Sequence, residues 1–233
     1  MFQIMQKVFV FIGTLNRTYF KQGDDWSLAE LYVKPNRPDR KNIAIALLKE
    51  FKDKISFKKG HRLRFDVLKS DNEINNAIES MGLSQNKQHF LHFEYNLKDY
   101  AGNKENIQTE FDSEEIAEVL SHLSPVSISE VQHWINDKKI RGVFNQERLV
   151  CAAYLLESDE TMEISRIATH SNFLRQGFAS KLIRVILNEA KRYSKEKVYL
   201  KVDQIKNPAI SLYKSIGFKE LEEKTQIWHS SYF

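Results

Sequence analysis

The chain has 233 residues, of which 42% are hydrophobic, 12% aromatic and 28% charged, with 35 basic residues against 31 acidic ones for a net charge of +4. That length admits one large domain or two small ones, and the composition excludes a disordered or fibrous chain. The charges are interleaved, which argues for a solvated surface over a nucleic-acid face, and the single cysteine, Cys151, excludes an internal disulfide and fits a reducing, cytoplasmic setting.

In chain order, the apolar run Val8 to Ile12 is too short to span a bilayer and lacks a small-residue cleavage site, so it predicts a strand and no membrane partner. A strand, helix, strand, helix, strand order follows through NIAIALL (42–48), RFDVLKSDN (64–72), SMGL (80–83) and HFLHFEY (89–95). DYAGNKEN (99–106), polar and holding Gly102, reads as a linker. Two helices are predicted at 112–123 and 127–139, each opening at capping-box spacing, Asp112 with Glu115 and Ser127 with Glu130. IRGVFNQ (140–146), RLVCAAYLLES (148–158) and MEISRIAT (162–169) read as strands. A helix from 177 to 193 carries Phe178, Leu182, Val185, Ile186 and Tyr193 on one side. KVYLKVD (197–203) alternates as a strand, and NPAISLYKSIG (207–217) is a short helix with Asn207 as cap, Pro208 in its first turn and Gly217 as its stop.

The pattern occurs twice. Asn207 and Gly217 lie 30 and 40 residues after Gly177, and 135 residues earlier Asn42, Asn72 and Gly82 keep those intervals. At the same offset NIAIALL pairs with GFASKLI, RFDVLKSDN with YLKVDQIKN, SMGL with SIGF and HFLHFEY with TQIWHS. This predicts a tandem duplication. Mapped back, the first copy begins near Gln6 and has no room for the two front helices, so it is truncated at its N-terminal side. The expected fold class is α/β with a mixed sheet, divided into residues 1–98, a linker at 99–106 and residues 107–233.

A strand-to-helix turn aims backbone N–H groups at one point, and a helix N-terminus carries about half a positive charge there, which suits a phosphate group. Gly177 removes a side chain where such a group approaches the backbone, Ala179 keeps the next turn small, and Arg175 and Gln176 add charge and hydrogen bonds.

HSNFLRQGFASKLI (170–183), followed by NPAISLYKSIGF (207–218), resembles the GNAT superfamily of acetyl-CoA-dependent N-acetyltransferases. The superfamily's first motif is R/Q-x-x-G-x-G/A; its first position is Leu174 here, with Arg175 adjacent. The resemblance implies acetyl-CoA as co-substrate, its diphosphate at Arg175, Gln176, Gly177, Phe178, Ala179 and Ser180. It also implies that Asn207 contacts the pantetheine arm, and that the backbone of Ile167, Ala168 and Thr169 holds the acetyl carbonyl and pantetheine amides where the strand splays from its neighbour. Tyr213 corresponds to the acid that protonates the departing thiolate, and Glu163 to the general base for the amine. A phenol of pKa about 10 suits a thiolate of about 8.5, and a mostly protonated amine needs a proton acceptor. Both residues also have plain readings: an exposed strand glutamate, and a partly buried tyrosine capping a backbone group. His170 and His133 read as surface residues, and no metal is expected, since the seven histidines lack paired spacings.

Carried into the first copy, Gly177 becomes Asn42 and Tyr213 becomes Ile78, which reads residues 1–98 as non-catalytic. The expected function is direct transfer of an acetyl group to a primary amine of a small molecule or peptide, by a monomer or homodimer. The rival is a catalytically silent acyl-CoA-binding sensor or scaffold. Trp134, Trp228, His229, Tyr232 and Phe233 are candidates for an aromatic acceptor pocket or for core.

Overall fold

The structure, a computed structural model, describes residues 10–11, 17–22, 26–33, 37–54, 59–102 and 111–233. Its first elements are β1 (Val10–Phe11), β2 (Arg17–Gln22), β3 (Trp26–Tyr32), α1 (Arg40–Lys54), β4 (Arg62–Leu68), α2 (Asn72–Ser80) and β5 (Asn86–Asn96). There follow α3 (Ser113–Ser121), α4 (Ile128–Asn136), β6 (Ile140–Asn145), β7 (Arg148–Glu157), β8 (Thr161–Thr169) and α5 (Phe178–Arg192). The chain ends with β9 (Lys197–Asp203), α6 (Asn207–Ile216), β10 (Lys219–Glu220) and β11 (Gln226–Tyr232). Of the expected strand over Val8 to Ile12 only Val10 and Phe11 are described, and of the expected linker residues 103–106 lie outside the described residues.

The chain forms two compact units, one of Met1–Leu91, Asp203–Ile205 and Leu221–Phe233, the other of His92–Val202 and Lys206–Glu220. They do not coincide with the boundary drawn at the linker. The second half of β5 belongs with residues 107–202, and β11 belongs with the N-terminal residues. Tyr100, inside the expected linker, is a buried part of the second unit, its hydroxyl donating to the Arg184 carbonyl at 3.3 Å.

In the first unit the strands run β1, β2, β3, β4, β11 and then the first half of β5. β3 and β4 are parallel, and β11 is antiparallel to both its neighbours. Ala44, Leu47, Leu48 and Phe51 recur at helical spacing on α1, as do Ile74, Ala77 and Ile78 on α2. They close over Leu63, Phe65 and Val67, the alternate residues of β4.

His229 on β11, a pocket candidate by sequence, is a core residue of this unit, fully buried between Ser84 Oγ (2.8 Å from Nδ1) and Asn75 Oδ1 (2.7 Å from Nε2). A neutral imidazole satisfies both partners, accepting from the Ser84 hydroxyl and donating to the Asn75 carbonyl oxygen. Burial pulls its pKa down from 6.5 to about 4. The folded value lies below the unfolded one, so this contribution is present above pH 6.5 and is lost as pH falls toward 4. Chemical denaturation is expected to lose about 2 kcal/mol more between pH 7 and 5 in the wild type than in His229→Gln; equal slopes would contradict the buried neutral imidazole.

In the second unit the strands run from the second half of β5 through β9, β8 and β7 to β6, with β10 paired to β5. α3 and α4 bury Ile116, Val119, Leu120 and Val131 against Ile140, Leu149 and Ala152. Arg141, next to Ile140, points instead to Glu189 of α5, so α5 covers the other face. Ser127 and Glu130 form the expected capping box, whereas Asp112 caps α3 by accepting from the Glu114 and Glu115 amides. The cap of α6 is Lys206; Asn207 is its first helical residue.

The two units share one register. β3 and β4 pair Trp26, Ser27, Leu28 and Ala29 with Arg62, Leu63, Arg64 and Phe65. β8 and β9 pair Thr161, Met162, Glu163 and Ile164 with Lys197, Val198, Tyr199 and Leu200, each residue shifted by 135. The next ladder differs. β2 pairs β3 without interruption, but the β7–β8 register shifts between Tyr154 and Leu155, leaving Ser165 as an extra residue in β8.

Candidate functional site

The β8–β9 ladder ends at Ile164 and Leu200. Beyond it, Arg166, Ile167, Ala168 and Thr169 pair only with Tyr154, Ala153, Ala152 and Cys151 of β7. The Ser165 bulge sits where the strands part, since an extra residue bends a strand and raises its twist. Edge groups left without a ladder partner must find another acceptor or donor, and here they lie on the β9 side of β8. The residues expected to hold a carbonyl and amides through their backbone are thus the ones whose outer edge is open.

The turn after β8 is anchored by His170. This is a correction: the residue is buried, with Nε2 3.2 Å from Glu118 Oε1 and 2.9 Å from an Arg148 nitrogen, while Nδ1 accepts from the Asn172 amide at 3.2 Å. His133 is exposed. Arg175 adopts φ +61° and Gly177 φ +85°, two left-handed residues flanking Gln176. A non-glycine residue held there marks a turn fixed by its surroundings.

Gly177 caps α5 without a side-chain hydrogen bond, so the first-turn amides of Phe178, Ala179 and Ser180 have no side-chain cap among the described residues. A Cβ built on Gly177 meets nothing within 4 Å. Its backbone conformation, and no steric contact, is what favours glycine, and the space above it is open. Arg175 and Gln176 are exposed beside this helix end, as is Leu174. The set fits a diphosphate: amides without a side-chain cap, a helix dipole, an adjacent guanidinium and room.

Glu163 lies on the paired part of β8, half-buried, directly opposite Tyr199. The Tyr199 hydroxyl donates to Glu163 Oε2 at 2.9 Å. Burial, then this hydrogen bond and the charge of Glu163, push the phenol up to about 12. The His92 ring stacks on Tyr199, centroids 5.3 Å apart.

Tyr213 is buried on α6 between Phe93 and Phe218, each 6.1 Å away by ring centroid. Burial, and after it the neighbouring Cys151, push its pKa up to about 12, above the ordinary phenol value expected from sequence. Cys151 is buried and accepts from the Thr169 hydroxyl at 3.2 Å, and burial raises its thiol to about 12. It is no activated nucleophile. Gly217 ends α6 at φ +110°, where a Cβ would stand 3.1 Å from the Tyr95 ring. Asn207 is exposed at the start of α6.

Sequence reasoning missed Tyr199 and Arg166. Alternation in KVYLKVD put Tyr199 on one face of its strand, but pairing with Glu163 needed the register. Of the aromatic pocket candidates, Trp134 stacks on Tyr154 in the second unit, centroids 4.2 Å apart. Trp228 lies in the first unit, stacked on Phe90 at 3.4 Å with the Arg64 guanidinium 3.9 Å from its ring. Among the described residues no group of three or more His, Cys, Asp or Glu could hold a metal, and no helix is long and apolar enough to cross a membrane.

The model of the acetyltransferase (GNAT) family matches residues 108–218, just under half of the chain. No curated protein sequence matches. Among solved structures, a GCN5-related N-acetyltransferase from Sphaerobacter thermophilus is similar at 13% identity and TM-score 0.74, over 93% of this chain and 76% of that one. A GNAT-family acetyltransferase from Colwellia psychrerythraea matches at 14% identity and TM-score 0.64, over 97% and 84%. A tandem GNAT protein from the clavulanic acid biosynthesis pathway matches at 11% identity and TM-score 0.62, over 94% and 79%. Residues 108–218 therefore match the acetyltransferase (GNAT) family, within a chain that has the GNAT fold.

Proposed function

We propose that the chain transfers an acetyl group from acetyl-CoA directly to a primary amine, and that the second unit carries the site. One observation supports this above the others: β8 parts from β9 after Ile164 and leads, through a strained turn, into an uncapped helix N-terminus at Gly177. Acetyl-CoA supplies the acetyl group as a thioester. Amides of Gly177, Phe178, Ala179 and Ser180, with Arg175 and Gln176, bind its diphosphate. The open edge of Ile167, Ala168 and Thr169 holds the carbonyl and the pantetheine amides, with Asn207 at the arm. Glu163, oriented by Tyr199, accepts the proton the amine loses as its nitrogen bonds to the carbonyl carbon. Tyr213 donates a hydrogen bond to the sulfur as the carbon–sulfur bond breaks. With a pKa near 12, it stabilises the thiolate more readily than it surrenders its proton.

Residues 1–98 are proposed as a degenerate copy. The shared four-residue register supports a common origin, as does the similarity to a solved structure described as a tandem GNAT protein. At the positions of Glu163, Tyr199 and Tyr213 the first copy has Leu28, Arg64 and Ile78, and its β3 lacks the bulge. Asn42 sits inside α1, which already begins at Arg40. The Arg40 guanidinium is taken by Asp71 at 2.7 and 3.0 Å and by Glu73 at 3.2 Å.

The direct test is turnover of acetyl-CoA against a panel of amines. Glu163→Gln is expected to lower kcat about 10²- to 10⁴-fold, recovering at high pH where the amine deprotonates unaided. Tyr199→Phe, which removes a donor to the carboxylate, is expected to lower kcat about 3- to 10-fold while the acetyl-CoA thermal shift is retained. Coenzyme binding without turnover of any amine would leave the sensor reading standing instead.

A further inference from the structure

We infer that the accepted amine carries a second, anionic group, in the simplest case a carboxylate a few bonds away, and that Arg166 selects for it. This rests on the acyl-transfer reading and names the acceptor's chemical class.

The bulge makes the placement possible. Residues three apart on a regular strand point to opposite faces, so Glu163 and Arg166 would ordinarily be separated by the sheet. Ser165 changes the count. Glu163 stands opposite Leu156 and Arg166 opposite Tyr154. Leu156 and Tyr154 are two apart on β7 and share a face, and cross-strand partners point the same way. Glu163 and Arg166 therefore project from one face, with Cα atoms about 10 Å apart or less. That face also carries Trp134, stacked on Tyr154 and 5.8 Å from the Arg166 guanidinium. In the first unit, where β3 lacks the extra residue, no such pairing of faces arises.

Arg166 is half-buried, and one of its terminal nitrogens donates to Ser124, at 2.6 Å to Oγ and 3.4 Å to the carbonyl. Among the described residues no carboxylate lies within 4.0 Å of it. The carboxylate acting on it from further off, Glu130, is engaged by the Ser127 amide at 3.0 Å and hydroxyl at 2.8 Å. The remaining edge of the guanidinium, with its other donors, has no protein acceptor among the described residues. A cation taken partly out of water without a counter-ion is poorly compensated, and burial accordingly pulls its pKa down. A guanidinium fork held on one side presents parallel donors that match a carboxylate's two oxygens. With Glu163 on the same face as proton acceptor, the arrangement suits a molecule bearing both an amine and an anion.

The test uses free amino acids and the same amino acids as carboxamides, with the full chain and acetyl-CoA. The carboxamide has the less basic amine and is chemically favoured at neutral pH, so preference for the carboxylate reports recognition. Wild type is expected to show kcat/KM about 10- to 100-fold higher for the carboxylate member of each reactive pair. Arg166→Gln is expected to bring that ratio near one, chiefly through KM of the carboxylate, while the acetyl-CoA thermal shift is retained. Arg166→Lys, which keeps the charge but loses the fork, should give an intermediate ratio and serves if the glutamine variant does not fold. Equal use of both members by wild type overturns the inference. So does a proportional loss for both members in Arg166→Gln, which is the signature of a strut for the α3–α4 connection. So does acetylation confined to amines without an anionic group. In all three the acyl-transfer reading survives; absence of transfer to every amine overturns both.

Discussion

Gly177→Glu is expected to abolish the thermal shift that acetyl-CoA produces, while Asn42→Glu leaves it unchanged. At φ +85° an L-residue costs about 1–2 kcal/mol in the left-handed region, which is affordable only if the turn is otherwise secure. The larger effect is electrostatic. A carboxylate at the uncapped first turn of α5 takes the place proposed for the diphosphate, and two like charges about 4 Å apart repel by roughly 4 kcal/mol at an effective dielectric of 20. Coenzyme at 100 times its Kd stabilises the folded state by only about 2.7 kcal/mol, so the shift should vanish. Gly177→Ala, which adds strain without charge, should retain part of it. At Asn42 the same substitution falls on an exposed position inside α1, whose first residue, Arg40, is already paired with Asp71 and Glu73. Scanning calorimetry with and without acetyl-CoA reads all three variants. Equal effects of the two glutamates would end the proposed distinction between an active and an inactive copy.

Arg141→Met is expected to destabilise the second unit by about 3–5 kcal/mol, because it strands the carboxylate of Glu189 in the core. Arg141 joins β6 to α5: its Nε donates to Glu189 Oε2 at 2.5 Å and a terminal nitrogen donates to Glu189 Oε1, while the other donates to the Lys138 and Ile140 carbonyls at 2.7 Å each. Burial pulls the guanidinium down, but the hydrogen bonds and charge of Glu189 outweigh it, leaving the pKa raised. Both side chains are almost fully buried, at 8% and 2% exposure, so solvent cannot replace either partner. The double variant Arg141→Met/Glu189→Leu should recover most of the loss, since two apolar residues of similar volume often replace a buried pair without penalty. Urea denaturation followed by a probe in the second unit measures each change. A single variant within about 1 kcal/mol of wild type would mean that water reaches the pair.

Much of the site's frame was legible from short windows. Gly217 was located because helix ends favour glycine, and Gly177 because a phosphate that approaches a helix N-terminus needs a bare backbone. The strand at 197–203 and the helices around them followed from apolar periods of two and 3.6. Less was legible for Tyr213, whose pKa depends on its enclosure by Phe93, Phe218 and Cys151. His170 read as a surface residue because nothing near it in sequence shows Glu118 or Arg148.

By itself the sequence determined most helices and strands of the second unit and the placement of the glycine turns, because each depends on backbone preference or periodicity over a few residues. Only the tertiary structure decided that β11 lies between β4 and β5, that Tyr199 faces Glu163, and that one inserted residue turns Arg166 to the same side. Those outcomes depend on strand partner and register, which many half-buried strands satisfy equally well until the whole sheet is assembled.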